Sequence, residues 1–523
     1  MTAPRTVGAD ASLTSLTMLT SWKAIDWLRV RQEVRRLQMR IAKATQAGKH
    51  RKAQALQWIL THSKAAKLLA VHRVTTNRGA KTPGVDNVIW RTDRQKLQAA
   101  INLKRHGYRP RPLRRHYIPK ANGKLRPLSI PTLHDRAMQA LYALALAPIA
   151  ETLADKNSYG FREGRRCADA LEQCFTCLAR RASAPWVLEG DIKACFDEIS
   201  HDWLLENVPM DKQMLKAWLK AGYWENDQLF PTEAGTPQGG LASPILANLT
   251  LDGMEQVAKT AAGRKDKVHF IRYADDFVVT GASKEILEQK VKPALTAFLL
   301  ARGLRLSEQK TVLTHISEGF DFLGHTVRKY GDTLLITPAK SKVEVMRRQI
   351  SEWIHSAVGH TQEALLRQLN PRLRGWANYY RHGASKRTFS KLDYHVYKGV
   401  KRWIHRRHPK KSKSWTGRKY FSAAADGTFS VRFITKEGKN RVLSLYRTVS
   451  TKIQRHIKVR GDANPYDPKY TKYFRMRRCW LWRTLWSNPD PEWSPKSLDS
   501  KRSASTSLDC RRVPTTGAPV GKA

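Results

Sequence analysis

The residues Tyr273-Ala274-Asp275-Asp276 set adjacent carboxylates between two short apolar runs, Val268 to Ile271 and Phe277 to Val279. That spacing predicts a tight hairpin whose turn carries the acids. Two partly buried carboxylates repel each other and lose hydration, so they require a counter-charge. A divalent cation supplies one. Metal ions paired about 3.5–4 Å apart stabilise both the attacking and the leaving oxygen of a phosphoryl transfer. The plain alternative is a polar turn in which Asp bonds its own backbone, and the pair alone does not decide between them.

A third carboxylate lies upstream. Trp186-Val-Leu-Glu-Gly-Asp191 reads as a short strand, with Gly190 allowing close backbone approach. Asp191 then falls at the strand end, where a neighbouring hairpin can present Asp275. Magnesium takes oxygen ligands in octahedral geometry and keeps water and substrate phosphates among them. Asp191, Asp275 and Asp276 are the expected protein ligands; for Asp191 the alternative is an exposed loop acid.

Further segments follow in order: Lys81-Thr-Pro-Gly-Val-Asp86, Tyr117-Ile-Pro-Lys120-Ala-Asn-Gly-Lys-Leu-Arg126-Pro-Leu-Ser-Ile-Pro131, Ser158-Tyr-Gly-Phe-Arg162, Gly235-Thr-Pro-Gln238-Gly-Gly240, Glu308-Gln-Lys310-Thr311 and Gly319-Phe-Asp-Phe-Leu-Gly324. Together with the acidic segments they resemble the ordered blocks of bacterial group II intron reverse transcriptases and maturases, over residues 70 to 335. Leu373-Arg-Gly-Trp-Ala-Asn-Tyr-Tyr-Arg-His382 is similar to that family's maturase (thumb) signature.

The resemblance implies an α+β right-hand polymerase with fingers and palm, an α-helical thumb or maturase domain, and a small basic C-terminal domain. It implies two magnesium ions at a site formed by Asp191, Ile192, Asp275 and Asp276. It assigns Lys120, Arg126, Phe196, Gln238 and Lys310 to the incoming nucleotide. The residues agree with those roles. Asn122-Gly123 is a hairpin signal, and the flanking Lys120 and Arg126 suit a triphosphate, Arg as a fork and Lys as a point charge. A solvated basic hairpin is the alternative. Gly239-Gly240 beside Gln238 suits close approach to a ligand. Phe196 is expected as the ring beneath the sugar that excludes a 2′-hydroxyl, or else as plain core. Lys310 reads equally as a surface lysine.

Composition points to a polyanionic partner. With 94 Lys and Arg against 44 Asp and Glu, the formal net charge is +50, which phosphate backbones neutralise. At 41% hydrophobic with 16 Trp, the chain can still bury a core. Six irregular cysteines, including Cys174-Phe-Thr-Cys177, lack a second metal-binding pair, so helical core positions in a reducing cytoplasm are expected. Ala137 to Ala150, the longest apolar stretch, contains Gln139 and Pro148 and is too short to span a bilayer.

Along the chain, residues 1–20 read as a flexible leader and 21–69 as an RNA-binding extension of two helices. Val30, Val34, Leu37 and Ile41 form one apolar face, with Arg35 and Arg36 on the basic face. Residues 336–410 are assigned to the thumb, helical over Val343 to Leu369 and broken at Pro371; Arg374 lies in its signature. The region 411–484 is assigned to DNA and RNA binding, with two strands around Glu437-Gly438. Lys401 to Lys419 carries nine Lys or Arg and no acid. Arg406, Arg407, Lys410 and Lys411 are its expected phosphate contacts, and the interleaved Trp403 and Trp415 suit stacking on unpaired bases. Beyond 485 the sequence predicts a tail without a core and without the histidines of an HNH endonuclease.

The expected activity is RNA-directed DNA synthesis together with assistance to intron splicing and mobility. Expected partners are intron RNA, a DNA target, a primer 3′ end and deoxynucleotides. No membrane association is expected, and a dimer stays open. A reverse transcriptase of a lineage without an intron, or a non-catalytic splicing factor, are the alternatives; the three acids and the Arg374-Gly-Trp-Ala-Asn-Tyr-Tyr380 segment weigh against them.

Overall fold

A computed structural model describes residues 21–119, 123, 125–237, 239–435 and 438–485. The expected leader, most of the expected tail, Lys120, Asn122, Gln238 and Glu437 lie outside the described residues. The chain divides into Met1–Phe474 and Arg475–Ala523. Of the second unit, only the end of the helix Thr471–Leu485 is described.

Asp26 starts the first long helix, α1 (Trp27–Gln46), by accepting from the amides of Leu28 and Arg29 at 2.9 and 3.1 Å. Val30, Val34 and Ile41 turn into the core while Arg36 faces water. The extension then makes two helices rather than one, α2 (His50–His62) and α3 (Lys64–Thr76). Ser63 divides them, its Oγ accepting from the Ala66 amide at 3.2 Å. No Gly or Pro marks this boundary, so an expectation of two helices over residues 22–69 missed the third.

A fingers sheet runs β2-β1-β4-β5. Its hairpin pairs β1 (Leu113–Pro119) with β2 (Leu125–Ile130) antiparallel. The short β4 (Tyr223–Glu225) joins β1 in parallel and pairs with β5 (Gln228–Phe230). After the hairpin, α4 (Leu133–Leu153) is buried along most of its length and packs on α1, α2 and α3. It contains the apolar run Ala137 to Ala150. Among the described residues, no helix is long and apolar enough to cross a membrane. Next, α5 (Cys167–Leu178) carries Cys174 in the core and Cys177 half-buried, as expected for helical cysteines.

The palm sheet has the order β6-β7-β3-β8 and is antiparallel throughout. Its strands are β3 (Trp186–Asp191), β6 (His269–Tyr273), β7 (Asp276–Gly281) and β8 (Val312–His315). Successive residues of the middle strands, Phe270 to Arg272 and Phe277 to Val279, are buried on both faces, so their apolar residues run together instead of alternating with polar ones. Between β3 and β6, α6 (Ser243–Leu251) packs against α4. A second small sheet, β11-β10-β9, follows from β9 (Phe320–Phe322), β10 (His325–Tyr330) and β11 (Thr333–Pro338).

The thumb contains α7 (Lys340–Ser356), α8 (Gln362–Tyr380) and α9 (Lys386–Arg407). The expected break at Pro371 does not occur; Pro371 lies inside α8 and the break falls at residues 357–361. Leu365, Leu366, Leu369, Leu373 and Ala377 are all buried on one face of α8. Burial across the proline offsets the backbone hydrogen bond it removes. A short α10 (Lys413–Phe421) and the hairpin β12 (Ser430–Ile434) to β13 (Asn440–Ser444) close over the thumb core. Trp403 is 1% exposed in that core and donates its indole N–H to the Ala357 carbonyl at 2.7 Å. The expectation that it stacks on bases is therefore corrected; Trp415 is half-buried against the same cluster.

Candidate active site

Three strand ends bring the acids together. In the β3–β7 ladder Asp191 is the direct partner of Asp276, and in the β6–β7 ladder Tyr273 is. Asp275 sits on the intervening turn. Ala274, which turns the chain, has φ +58°, and Ala194, just past Asp191, has φ +42°. Such left-handed backbone costs an alanine about 1–3 kcal/mol and gathers at functional sites.

The electrostatics follow from this apposition. Burial raises the Asp275 carboxyl above its usual range and Asp191 adds to the shift, while Arg126 and Lys310 oppose it. Asp276 keeps a solvent-exposed side, yet enough protein surrounds its carboxyl that burial, Asp275 and Asp191 raise it to about 6. The β3–β8 register pairs Glu189 with Val312. Ahead of β8 that register gives way to a single turn, Glu308–Lys310, and the amide opposite Asp191 is that of Ser307, which donates to the Asp191 carbonyl at 2.8 Å. Lys310 Nζ bonds Asp191 Oδ2 at 2.8 Å, and this bond raises the ammonium pKa. Lys310 is thus an ion-pair partner of a candidate ligand and not a bystander on the surface.

The donors suit a hard divalent ion: three clustered carboxylates whose mutual repulsion favours added positive charge. Among the described residues, no three His, Cys, Asp or Glu side chains converge closely enough to form a ready-made cage. Ile192 is buried, and its backbone bridges to Leu306.

Phe196 lies half-buried against the palm core and meets Phe161 edge-on at 6.2 Å between ring centroids. The Gly235-Thr236 segment docks on it, the Thr236 amide donating to the Phe196 carbonyl at 2.6 Å. Arg126 is on β2 of the fingers hairpin, close enough to act on Asp275.

A buried layer that sequence reasoning missed holds the turn from below. Arg272 is fully buried and donates to Asp252 Oδ1 at 2.6 Å, Asn248 Oδ1 at 3.1 Å and the Ala274 carbonyl at 3.3 Å. Asn248 in turn donates to the Gly160 carbonyl at 2.9 Å. A Cβ on Gly160 would lie 2.3 Å from the Ala274 nitrogen, so only glycine lets this segment touch the turn. Arg162 anchors the segment through Glu151 at 2.7 and 2.9 Å. Gly190 serves the same close packing, since a Cβ there would enter the Phe277 ring. The available signal was Arg272 itself, a charge inside an otherwise apolar strand.

Comparison with known proteins agrees with this layout. Residues 22–103 match the N-terminal domain of reverse transcriptase, 118–327 match reverse transcriptase (RNA-dependent DNA polymerase), and 343–421 match the group II intron maturase-specific domain. The chain is 29% identical over 426 residues to the group II intron-encoded protein LtrA of Lactococcus lactis subsp. cremoris, covering 63% of this chain and 70% of that one. It is 33% identical over 317 residues to protein YkfC of Escherichia coli (strain K12), covering 51% of this chain and 82% of that one. The chain belongs to the group II intron reverse transcriptases and maturases. As a member of that family it is an RNA-directed DNA polymerase of right-hand α+β fold that also assists intron splicing, and its partners are nucleic acids.

In this reverse transcriptase the expected RNA contacts differ in how free they are. Arg36, Arg406, Lys410 and Lys411 are exposed. Arg35 is spent within the protein, on the Pro465 carbonyl, on Glu163 at 3.8 Å and over the Tyr466 ring at 4.6 Å. Arg407 donates to the carbonyls of Val358 and His360 at 3.0 and 2.5 Å. Arg374 lies over the Tyr446 ring at 4.9 Å. The maturase signature reaches the catalytic turn as well: Tyr379 donates to the Leu323 carbonyl at 2.9 Å, and burial, with Cys167 nearby, raises the hydroxyls of both Tyr379 and the turn's Tyr273.

Proposed function

We propose that DNA synthesis proceeds by two-metal phosphoryl transfer, with Asp191, Asp275 and Asp276 holding two magnesium ions and the Ile192 carbonyl as a further oxygen ligand. The observation that carries this reading is the cross-strand pairing of Asp191 with Asp276, with Asp275 on the adjoining turn. Bound ions would supply Lewis-acid activation of the primer 3′-hydroxyl and charge neutralisation at the phosphates.

The chain's own groups do the positioning. Arg126 and Lys120 on the fingers hairpin grip the triphosphate of the deoxynucleotide. Phe196, braced by Phe161, lies beneath the sugar and leaves no room for a 2′-hydroxyl. Gln238, with Gly239 and Gly240, approaches the nucleotide from the other side. Lys310 neutralises Asp191 and then serves the phosphates. The Arg272 layer fixes the height of the turn.

Intron RNA binds the exposed basic surfaces that include Arg36, Arg406, Lys410 and Lys411, and the maturase helix holds it near Arg374. A DNA target and a primer 3′ end are the further substrates, and the reaction takes place in the cytoplasm at the nucleoid.

The test is Asp275→Ala with Asp276→Ala in the purified protein, assayed for primer extension and intron RNA binding. Extension should vanish and binding should persist. Extension at the parental rate would remove the site assignment.

A further inference from the structure

Tyr394 and Tyr397 are one helical turn apart on α9 and are 59% and 46% exposed. The opposite face of α9, with Phe389, Leu392, Val396, Val400 and Trp403, is buried. Core packing therefore explains that face and leaves two large rings in water. Burial would favour each, so an exposed aromatic pair on a rigid helix marks a contact surface.

The two rings line a groove of about 410 Å³, together with Phe421 at the end of α10 and Tyr446 after β13. That volume is in the range of ligand sites. Cations hang over its rings. Lys398 Nζ is 4.7 Å from the Tyr394 centroid, and Lys401 Nζ is 5.5 Å from Tyr397 and 5.1 Å from Phe421. Arg447, also exposed, borders the groove.

Two carboxylates line it as well, and both are engaged within the protein. Asp393 accepts from the Thr448 amide and hydroxyl at 2.7 Å each and from the Val449 amide at 2.9 Å. Asp426 accepts from the Thr428 amide and hydroxyl at 3.1 and 2.7 Å. They shape the groove wall, while lysines and an arginine dominate its rim.

We propose that this groove stacks unpaired nucleobases of structured RNA, with Tyr394, Tyr397 and Phe421 as platforms and Lys398 and Lys401 reaching the flanking phosphates. Aromatic faces accept any base, and ammonium groups already poised over the rings need move little to meet a phosphate. The net charge of +50 favours an RNA occupant over a protein. So does position, since α9 and α10 lie within the maturase-specific match at 343–421. The proposal rests on the family's RNA-binding reading and adds the site.

The test uses the full chain with intron RNA and with a short single-stranded RNA carrying 4-thiouridine. Photocross-links should fall on the α9 peptide containing Tyr394 and Tyr397. Tyr394→Ala with Tyr397→Ala should weaken RNA binding on the order of tenfold per ring lost. Tyr394→Phe with Tyr397→Phe should restore it, because stacking needs the ring and not the hydroxyl. Melting temperatures should match across the set. Parental affinity in the double alanine variant, equal competition by fully paired RNA, tighter binding of the deoxy strand, or cross-links confined elsewhere would each overturn the assignment. Absence of RNA binding by the parent protein would instead remove the broader reading.

Discussion

Arg272 and Asp252 form a buried ion pair at 2.6 Å, and the same guanidinium reaches the Ala274 carbonyl in the turn that carries Asp275 and Asp276. The pair is imperfectly balanced: burial raises Asp252 to about 6 although Arg272 pulls it down. Arg272→Leu should cost about 3–5 kcal/mol by stranding Asp252. The double variant Arg272→Leu with Asp252→Leu should recover much of that stability in chemical denaturation. It should not recover primer extension, because the Ala274 carbonyl loses its donor. Parental extension by the double variant would show that the pair only stabilises the fold.

Gly160→Ala tests the contact from the other side. A Cβ there meets the Ala274 nitrogen at 2.3 Å, so the turn must move. Displacements of about 1 Å at a reacting centre cost on the order of 100-fold in rate. Primer extension should fall on that scale while intron RNA affinity stays within a factor of two or so. Unchanged extension would mean that the carboxylates tolerate a shifted turn.

The raised carboxyl of Asp276 predicts a pH dependence with a definite sign. Its folded value, about 6, lies above the ordinary 3.8, so the folded state holds this proton more tightly. The stabilisation is present at low pH and lost as pH rises through about 6. In metal-free buffer at neutral pH, Asp276→Asn should melt above the parent, and the gap should narrow in acid. Magnesium should raise the melting temperature of the parent more than that of the variant. Primer extension should decline as pH falls through about 6.

Trp403→Ala separates core from contact. With its ring in the thumb core and its N–H on Ala357, truncation should cost about 3–5 kcal/mol. RNA affinity, measured well below the melting transition, should hold. A stable protein with lost affinity would return Trp403 to a binding role.

The basic run should control salt dependence. Each phosphate contact contributes about 0.7–0.9 to the slope of log affinity against log salt. Replacing Arg406, Lys410 and Lys411 with Gln should therefore lower the slope by roughly 2–3. Arg407 is left out because it ties α9 to the Val358 and His360 carbonyls. An unaltered slope would remove these three residues from the interface.

Local patterns were the legible part of this chain. The Asp191 strand, the Asp275 hairpin and the β1–β2 fingers hairpin follow from short apolar runs broken by turn residues, and they form as read. Boundaries without such marks were not legible. Ser63 ends one helix and caps the next with an ordinary serine, and Pro371 stays helical because a buried leucine face extends past it. Trp403 and Tyr394 show a different limit. Both lie in or beside a basic segment, and only the orientation of α9 sends the first inward and the second outward. Arg272 was hidden because a buried cation is recognised by its partners, Asp252 and Asn248, which are distant in sequence. Lys310 was readable as a family position, but its pairing with Asp191 depends on the turn Glu308–Lys310 that leads into β8.

That pairing has a kinetic meaning. The ammonium of Lys310 is tethered to Asp191 in the oxygen-rich cluster that would receive magnesium, so one of the three acids already carries a counter-charge. Loading would then be an exchange: an incoming ion would displace a monovalent rival on a flexible stem, and the released ammonium would stay within reach of the next anion to arrive. Removing the rival with Lys310→Met should let metal bind at lower concentration and yet slow each addition, so that occupancy and turnover move in opposite directions.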